Sequence, residues 1–526
     1  MVIPNYLIIN ILDPILNHSK EIEYVYMFLR KYTLISKEWN QSIIVKLQYR
    51  HVNNLQRLVT VELLPDFIAL ANKYKWYNYR FIFPGHLFKL ADLFRDQVSQ
   101  IFITKGQSTP LDQSISHFKN SESIVVETSD SEEFLFNQLK SLCNIDIHIK
   151  SSYSQSKIDF NRIGELIQNR RVISLDFLGF NFIFTKNSNS FQPNSLTRIN
   201  LVMIRMSQWM LESLLDNSLN CQNLELDAVV LNEYKTYDKV LDILNHASQS
   251  MNLQRLRVST NIYSSYQAAV DFLSNIKTGT LILDNVEWEG ETLPDITNQW
   301  IHSLELPTSK GDIILELWKH KDNIKSISVK YAFKNLFKEF KNLRYLTIPH
   351  LPSSMAMIND LLAHKNLHSI DFYELYIGVL NKLLSIPHPS VQSYNIRSLK
   401  YDPNSFDKDL ILFIKSLSNN TTLTELVISD SFCSSCNNYN HCKLYIEILT
   451  INKTLHKFIL PESLSNTFKF TTDMVKQFNE LFKINTTIQQ LKCFDYASIT
   501  NVSLRYHNQI HLDLLDVFSK YNVIIY

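Results

Sequence analysis

The sequence predicts an α/β solenoid: a strand–turn–helix unit laid side by side many times, its strands in one parallel sheet, with a small all-α head at the N-terminus. Three observations predict it. One hexad, apolar-x-x-apolar-x-apolar, returns sixteen times, with first positions at Val98, Ser121, Leu142, Val172, Leu196, Cys221, Leu253, Thr278, Ile301, Ile324, Leu343, Leu367, Ile396, Leu423, Leu455 and Ile488. Its fifteen intervals cover 390 residues, a mean period of 26. The residue just before the hexad is often Asn (Asn120, Asn220, Asn252, Asn323, Asn342, Asn366, Asn395) or, in the last three units, Thr preceded two positions earlier by Asn420, Asn452 or Asn485. Asn tolerates the left-handed conformation that ends a helix, so each unit reads helix, Asn stop, short strand. Between strands the apolar residues recur at helical spacing, as in Met357-Ile358-Leu361-Leu362 and Leu410-Ile411-Phe413-Ile414-Leu417.

A period of roughly 20–29 residues with this strand pattern resembles leucine-rich repeats. The asparagine usual a few residues past the strand is mostly missing, which favours the long, helix-bearing, ribonuclease-inhibitor-like type. The resemblance implies a horseshoe with the sheet on its concave face, covering residues 98–526. The competing fold, an ordinary doubly wound α/β domain, does not repeat its unit so often at one period.

Composition is compatible with this. At 526 residues the chain exceeds one compact domain, but a solenoid unit packs only on its neighbours. With 52 basic and 51 acidic residues the net charge is +1, which argues against nucleic acid and against a polybasic membrane patch. Nothing approaches about 18 uninterrupted apolar residues. The start, Met1 to Leu16, lacks a basic leader and is broken by Pro4, Asn5, Asn10, Asp13 and Pro14. The chain is expected in the cytoplasm, the nucleus or both. Six cysteines fit a reducing compartment, with Cys143, Cys221 and Cys493 on or beside strands as small core residues.

Residues 1–50 differ from the rest. Helical spacing runs through Leu7, Ile8, Ile11, Leu12, Ile15 and Leu16, then over about Glu21 to Lys31 and Thr33 to Leu47. The segments Ile3-Pro4-x-x-Leu7-x-x-x-Ile11-Leu12 and Leu34-Ile35-Ser36-Lys37-x-Trp39 resemble an F-box. That resemblance covers about a tenth of the chain; the stretch from Leu12 to Ser36 is several residues longer than the family usually has. It implies a three-helix module docking on the Skp-family adaptor and cullin complex of a ubiquitin ligase. Ile3, Pro4, Leu7, Ile11, Leu12, Ile35, Ser36 and Trp39 would carry that contact. Read from the residues alone, the same helices also suit a cap that shields the first repeat. Residues 51–97 read as a connector, with a helix after Pro65, a degenerate repeat carrying Phe81 and Phe83 inward, and a helix near Leu87.

Catalytic signatures are absent. Eight glycines form no phosphate loop or dinucleotide fingerprint, and the 16 histidines are scattered, so no enzyme, catalytic residue or cofactor is expected. Cys433-x-x-Cys436-x-x-x-x-His441-Cys442 has soft ligands enough for zinc, though adjacent His441 and Cys442 point differently; a polar surface loop is the other reading. Function is expected on the open sheet face, where the third, fifth and seventh hexad positions point away from the core. Asp176, Arg198, Glu225, Arg255, Arg257, Glu305, Tyr345, Asp371, Lys400, Lys457 and Lys492 sit in those columns. A mixed-sign face suits a protein ligand with matching charge order. The sequence thus reads as a substrate-recognition adaptor of a Skp–cullin–F-box-type ubiquitin ligase or, alternatively, a repeat scaffold with a helical cap and no ligase role.

Overall fold

The computed structural model describes residues 22–32, 37–47, 52–54, 58–73, 80–84, 98–103, 123–128, 146–152, 157–169, 172–183, 192–260, 262–284, 288–289, 295–307, 311–330, 335–350, 355–401, 405–430, 441–460 and 471–492, with single residues near either end. It divides into two compact units, Met1–Phe272 with Ile276–Thr278, and Leu273–Asn275 with Gly279–Tyr526.

In the first unit, nine described strands pair in parallel, each with the next: Val52–Asn54, Arg80–Pro84, Val98–Ile103, Ser123–Thr128, Asp146–Ser152, Val172–Leu178, Arg198–Val202, Asn223–Asp227 and Arg255–Ser259. Two of them lie inside the 51–97 stretch. The helix Leu58–Lys73 joins that pair, and Pro65 falls inside it, so it begins well before the proline that was expected to open it. A second, narrower parallel ribbon follows the main strands: Lys157–Asp159, Asn181–Ile183, Arg205–Met206 and Val230–Leu231. The chain turns between the two ribbons at Gly179, Met203 and Ala228, seven residues after the hexad starts Val172, Leu196 and Cys221. All three have positive φ, and their N–H groups donate in register to the Val202, Asp227 and Ser259 carbonyls at 2.7–2.8 Å.

In the second unit the parallel strands are Thr280–Asp284, Ser303–Leu306, Ser326–Val329, Tyr345–His350, Ser369–Tyr376, Ser393–Lys400, Glu425–Asp430, Lys457–Ile459, Gln490–Lys492 and Ile524–Ile525. One carbonyl per repeat accepts two N–H groups from the next. His302 accepts from Lys325 and Ser326, His368 from Gln392 and Ser393, and His456 from Gln489 and Gln490. Helices return the chain between strands, as parallel pairing requires. Phe406–Ser418 buries Leu410, Phe413 and Leu417 on one face, with Asp407 and Asp409 in its first turn and Lys415 in its last to complement the helix dipole. Each unit is therefore an α/β solenoid of the leucine-rich-repeat kind.

The hexads supply the core. Ile199, Leu201, Leu224, Leu226, Leu304, Leu306, Leu426 and Ile428 are buried, each contributing about 1.5–3 kcal/mol. Cys221 is buried at a hexad first position, its thiol pushed up to about 12 by desolvation, while Cys143 and Cys493 lie outside the described residues. Fourteen of the sixteen hexads pair at their fourth positions, from Ile101 with Ile124 to Phe458 with Leu491. Two starts are corrected. Ile147, not Ile145, pairs with Ile124, which moves the Leu142 hexad two residues on. Tyr394, not Leu399, pairs with Ile370 and Leu426, so the hexad placed at Ile396 starts at Val391. The pattern missed it because a buried tyrosine, Tyr394, fills the aliphatic slot.

The Asn stop also works differently from the expectation. Among the described residues, the non-glycine positions with positive φ are Met203 and Ala228, none of them Asn. The asparagines act through their side chains. Nδ2 of Asn323, Asn342 and Asn366 donates to the Gln299, Asp322 and Lys341 carbonyls of the preceding repeat. Deeper, three residues before the hexad, a buried side chain does more. Nδ2 of Asn452 donates to the Leu417 and Asn420 carbonyls at 2.8 and 2.9 Å, and its Oδ1 accepts from the N–H groups of Thr454 and Leu455. Asn420 and Asn485 repeat the arrangement, and Asn298 does so at the Leu273 carbonyl. Each satisfies a carbonyl at the end of the previous helix, which has no partner within that helix.

Candidate interaction face

Alternation along each strand turns the third, fifth and seventh hexad positions to the open face. In the first unit the fifth column runs Asp176, Asn200, Glu225, Arg257 in register. Asn200 donates to Asp176 at 2.9 Å and Arg257 to Glu225 at 3.0 Å. Arg198 and Arg255, in the third column, are exposed. His148 bonds the Ser174 hydroxyl at 2.7 Å; burial holds its pKa below the usual value, Asp146 opposes that and Arg198 adds to it.

In the second unit the face carries aromatic groups. Tyr345 and Tyr373 are exposed on neighbouring strands. The Arg397 guanidinium sits 5.6 Å from the centre of the Tyr373 ring, within cation–π range. Asp371 lies half-buried between Thr347 and Asn395 in the strand register. Desolvation raises its pKa, and a hydrogen bond with Asn395 works against that. Together these give a tyrosine–arginine surface around a polar centre, edged by the Lys400–Glu374 ion pair at 3.4 Å.

The residues expected on the face divide between the units: Asp176, Arg198, Glu225, Arg255 and Arg257 in the first, Glu305, Tyr345, Asp371, Lys400, Lys457 and Lys492 in the second. The corrected register takes Lys400 out of the fifth column, where Asn395 stands, and leaves it at the end of its strand. It also brings Arg397 to the seventh position. Tyr373 was legible as the seventh residue of the Leu367 hexad; Arg397 was hidden by the misplaced start at Ile396.

In the head, Ile8, Ile9, Leu12 and Leu16 are helical, and Ile22–Tyr32 and Lys37–Ser42 form helices. Leu12, Leu16, Val25, Phe28, Leu29, Ile43 and Ile44 are buried. Trp39 lies on Lys37–Ser42, half-buried; Ile3, Pro4, Leu7, Ile11, Ile35 and Ser36 lie outside the described residues. Ile22–Tyr32 packs on Leu58–Lys73, the helix between the first two strands. Cys433 and Cys436 also lie outside the described residues, while His441 and Cys442 open the helix His441–Ile451. Among the described residues no three His, Cys, Asp or Glu side chains gather as a metal site, and no helix is long and apolar enough to cross a membrane.

Comparison with known proteins returns a distant likeness. One of 75 solved chains that match is the crystal structure of a TLR13–ssRNA13 complex, with a TM-score of 0.37 and 13% sequence identity over 75% of this chain and 60% of that one. The chain thus spans less than two thirds of that protein's length. No family model matches the sequence, and no curated protein does.

Proposed function

We propose that this chain is a protein-interaction scaffold that grips a protein partner on the open face of its sheet and contributes geometry rather than chemistry. The observation that supports this is the exposed Tyr345–Tyr373–Arg397 surface around Asp371. Tyr and Arg are the residue types enriched at interface hot spots. Among the described residues the face mixes signs and carries no continuous cationic track, which fits a protein better than a nucleic acid. Affinity capture with Tyr373→Ala combined with Arg397→Ala tests it. Loss of two hot-spot contacts is expected to weaken the captured partners by about 30-fold or more, with the circular dichroism spectrum unchanged. Retention of the same partners at the same strength would sink the reading.

The finer reading is that the head docks on a Skp-family adaptor, making the chain a substrate receptor of a cullin-based ubiquitin ligase in the cytoplasm or nucleus. Its support is the F-box-like segment ending at Trp39 and the helical head around it. The packing of Ile22–Tyr32 on Leu58–Lys73 favours the other role, a cap over the first repeat. Trp39→Ala is expected to cost about 3–5 kcal/mol in head folding or docking. An adaptor pull-down unchanged by Trp39→Ala would leave only the cap. Deleting residues 1–50 separates the two further: a receptor loses adaptor and keeps its target, whereas a capped scaffold frays at its first strands.

A further inference from the structure

Two positions in the ladder of buried side chains are not asparagine. His364 and His388 stand three residues before Leu367 and Val391, in the slot that Asn298, Asn420, Asn452 and Asn485 fill before Ile301, Leu423, Leu455 and Ile488. Both are buried. Nδ1 of His388 faces the N–H groups of Ser390 and Val391 at 3.1 and 3.0 Å, and its Nε2 lies 2.9 Å from the Leu361 carbonyl. Nδ1 of His364 faces the Asn366 N–H at 3.3 Å, and its Nε2 lies 2.9 Å from the Phe340 carbonyl. A backbone N–H only donates and a carbonyl only accepts, so Nδ1 must keep its lone pair and Nε2 its hydrogen. A neutral imidazole fits. An imidazolium has no acceptor and would aim an N–H at the backbone N–H groups of its own turn; the Ser390 hydroxyl beside Nδ1 of His388 is farther, at 3.4 Å, and donates to the Leu367 carbonyl.

We propose that the buried joint at His388 is acid-sensitive: protonation of its ring unpins the strand Ser393–Lys400 from the preceding repeat, which carries Ser369–Tyr376. Asparagine in the same slot has no such state, so the joints at Asn420 and Asn452 hold at every pH the fold survives. The opened strands carry Asp371, Tyr373 and Arg397, so acid would also loosen the proposed binding face; that last link rests on the scaffold reading, the joint itself does not.

The surrounding charges do not stabilise the protonated form. Neither ring bonds a carboxylate. The titratable group acting on His388 is His364, which lowers its pKa, as does burial to a larger extent; the bond to the Leu361 carbonyl works the other way. His368, exposed in the next turn, points Nδ1 at the Ser390 carbonyl, and Lys341, Lys365 and Lys382 are exposed nearby in sequence. On the neighbouring helices Asp360 is paired with Lys338 and Glu339 with Lys321. An unfolded histidine titrates near about 6.5. With the folded pKa of His388 depressed below that, its contribution to stability is present above about pH 6.5 and is lost as pH falls further.

The test is hydrogen exchange on the full-length chain at pH 7.5 and 5.5, read as protection factors corrected for intrinsic rates. Amides of Ser369–Tyr376 and Ser393–Lys400 are expected to lose several-fold more protection on acidification than those of Glu425–Asp430 and Lys457–Ile459. His388→Asn, alone and with His364→Asn, should abolish that difference. Equal losses in both strand pairs in the wild-type chain would overturn the joint without recourse to any variant. So would a difference that persists in the double variant.

Discussion

Residues 172–260 and residues 364–490 meet the same demand with different hardware. Successive repeats must be locked together on the side away from the main sheet. In the first stretch the slot three residues before the hexad holds Pro193, Ser218 or Ser250; the Ser218 hydroxyl donates to the Leu214 carbonyl of its own helix and accepts from Asn194 of the previous repeat, and the Ser250 hydroxyl donates to the Ala247 carbonyl of its own helix. The lock there is the second parallel ribbon, entered through left-handed turns. In the later stretch the slot holds Asn or His, and the side chain crosses to the previous repeat. Neither of these serine hydroxyls donates to the previous repeat, and the backbone pairing of the second ribbon joins the repeats there.

The comparison can be broken most directly at Asn452. Replacing it by Ala removes two donated hydrogen bonds and two accepted from backbone N–H groups at a buried site, together with the contact from the Thr454 hydroxyl. The cost should be about 3 kcal/mol in urea denaturation, against about 1 kcal/mol or less for Ser250→Ala; equal costs would erase the distinction. The next effect has the opposite sign. Tyr394 is buried, its hydroxyl without a hydrogen-bond partner among the described residues, and burial pushes its pKa well up. Tyr394→Phe keeps the ring in the hexad slot and should gain about 1 kcal/mol, seen as a raised urea midpoint at unchanged slope. In the ribbon-locked stretch, Met203 is exposed and left-handed. Met203→Gly should relieve about 0.5–1 kcal/mol of backbone strain, whereas a β-branched residue there should destabilise. Smallest is the half-exposed Arg257–Glu225 pair: Arg257→Ala should cost about 0.5 kcal/mol and less at high salt.

Much of this was readable in the sequence because the hexad reports burial on one side of a strand, and burial at its fourth and sixth positions holds in nearly every repeat. Where it slipped, the reason is chemical. Tyr394 counts as a poor match for an aliphatic position, yet its ring fills the same space against Phe372; the nearby Ile396-x-x-Leu399 then offered a better-looking but wrong start. The histidines looked scattered because their kinship is positional. His388 resembles Asn420 only once both are counted back from the right strand, and the hexad from which to count His388 was the misplaced one. The tyrosines and Arg397 of the face could be located by column but not weighed, since exposure depends on neighbours that repeat spacing does not specify.

Hexad starts lie 19 residues apart from Ile324 to Leu343 and 33 apart from Leu455 to Ile488, yet the shared-carbonyl pairing steps across both without a break. The strand spacing is kept while the length of chain between strands varies. On the face of the second unit each paired strand advances the surface by one strand width, about 4.8 Å. Any molecule resting there reads a ruler with even graduations, and the chain between strands can lengthen without moving a single mark.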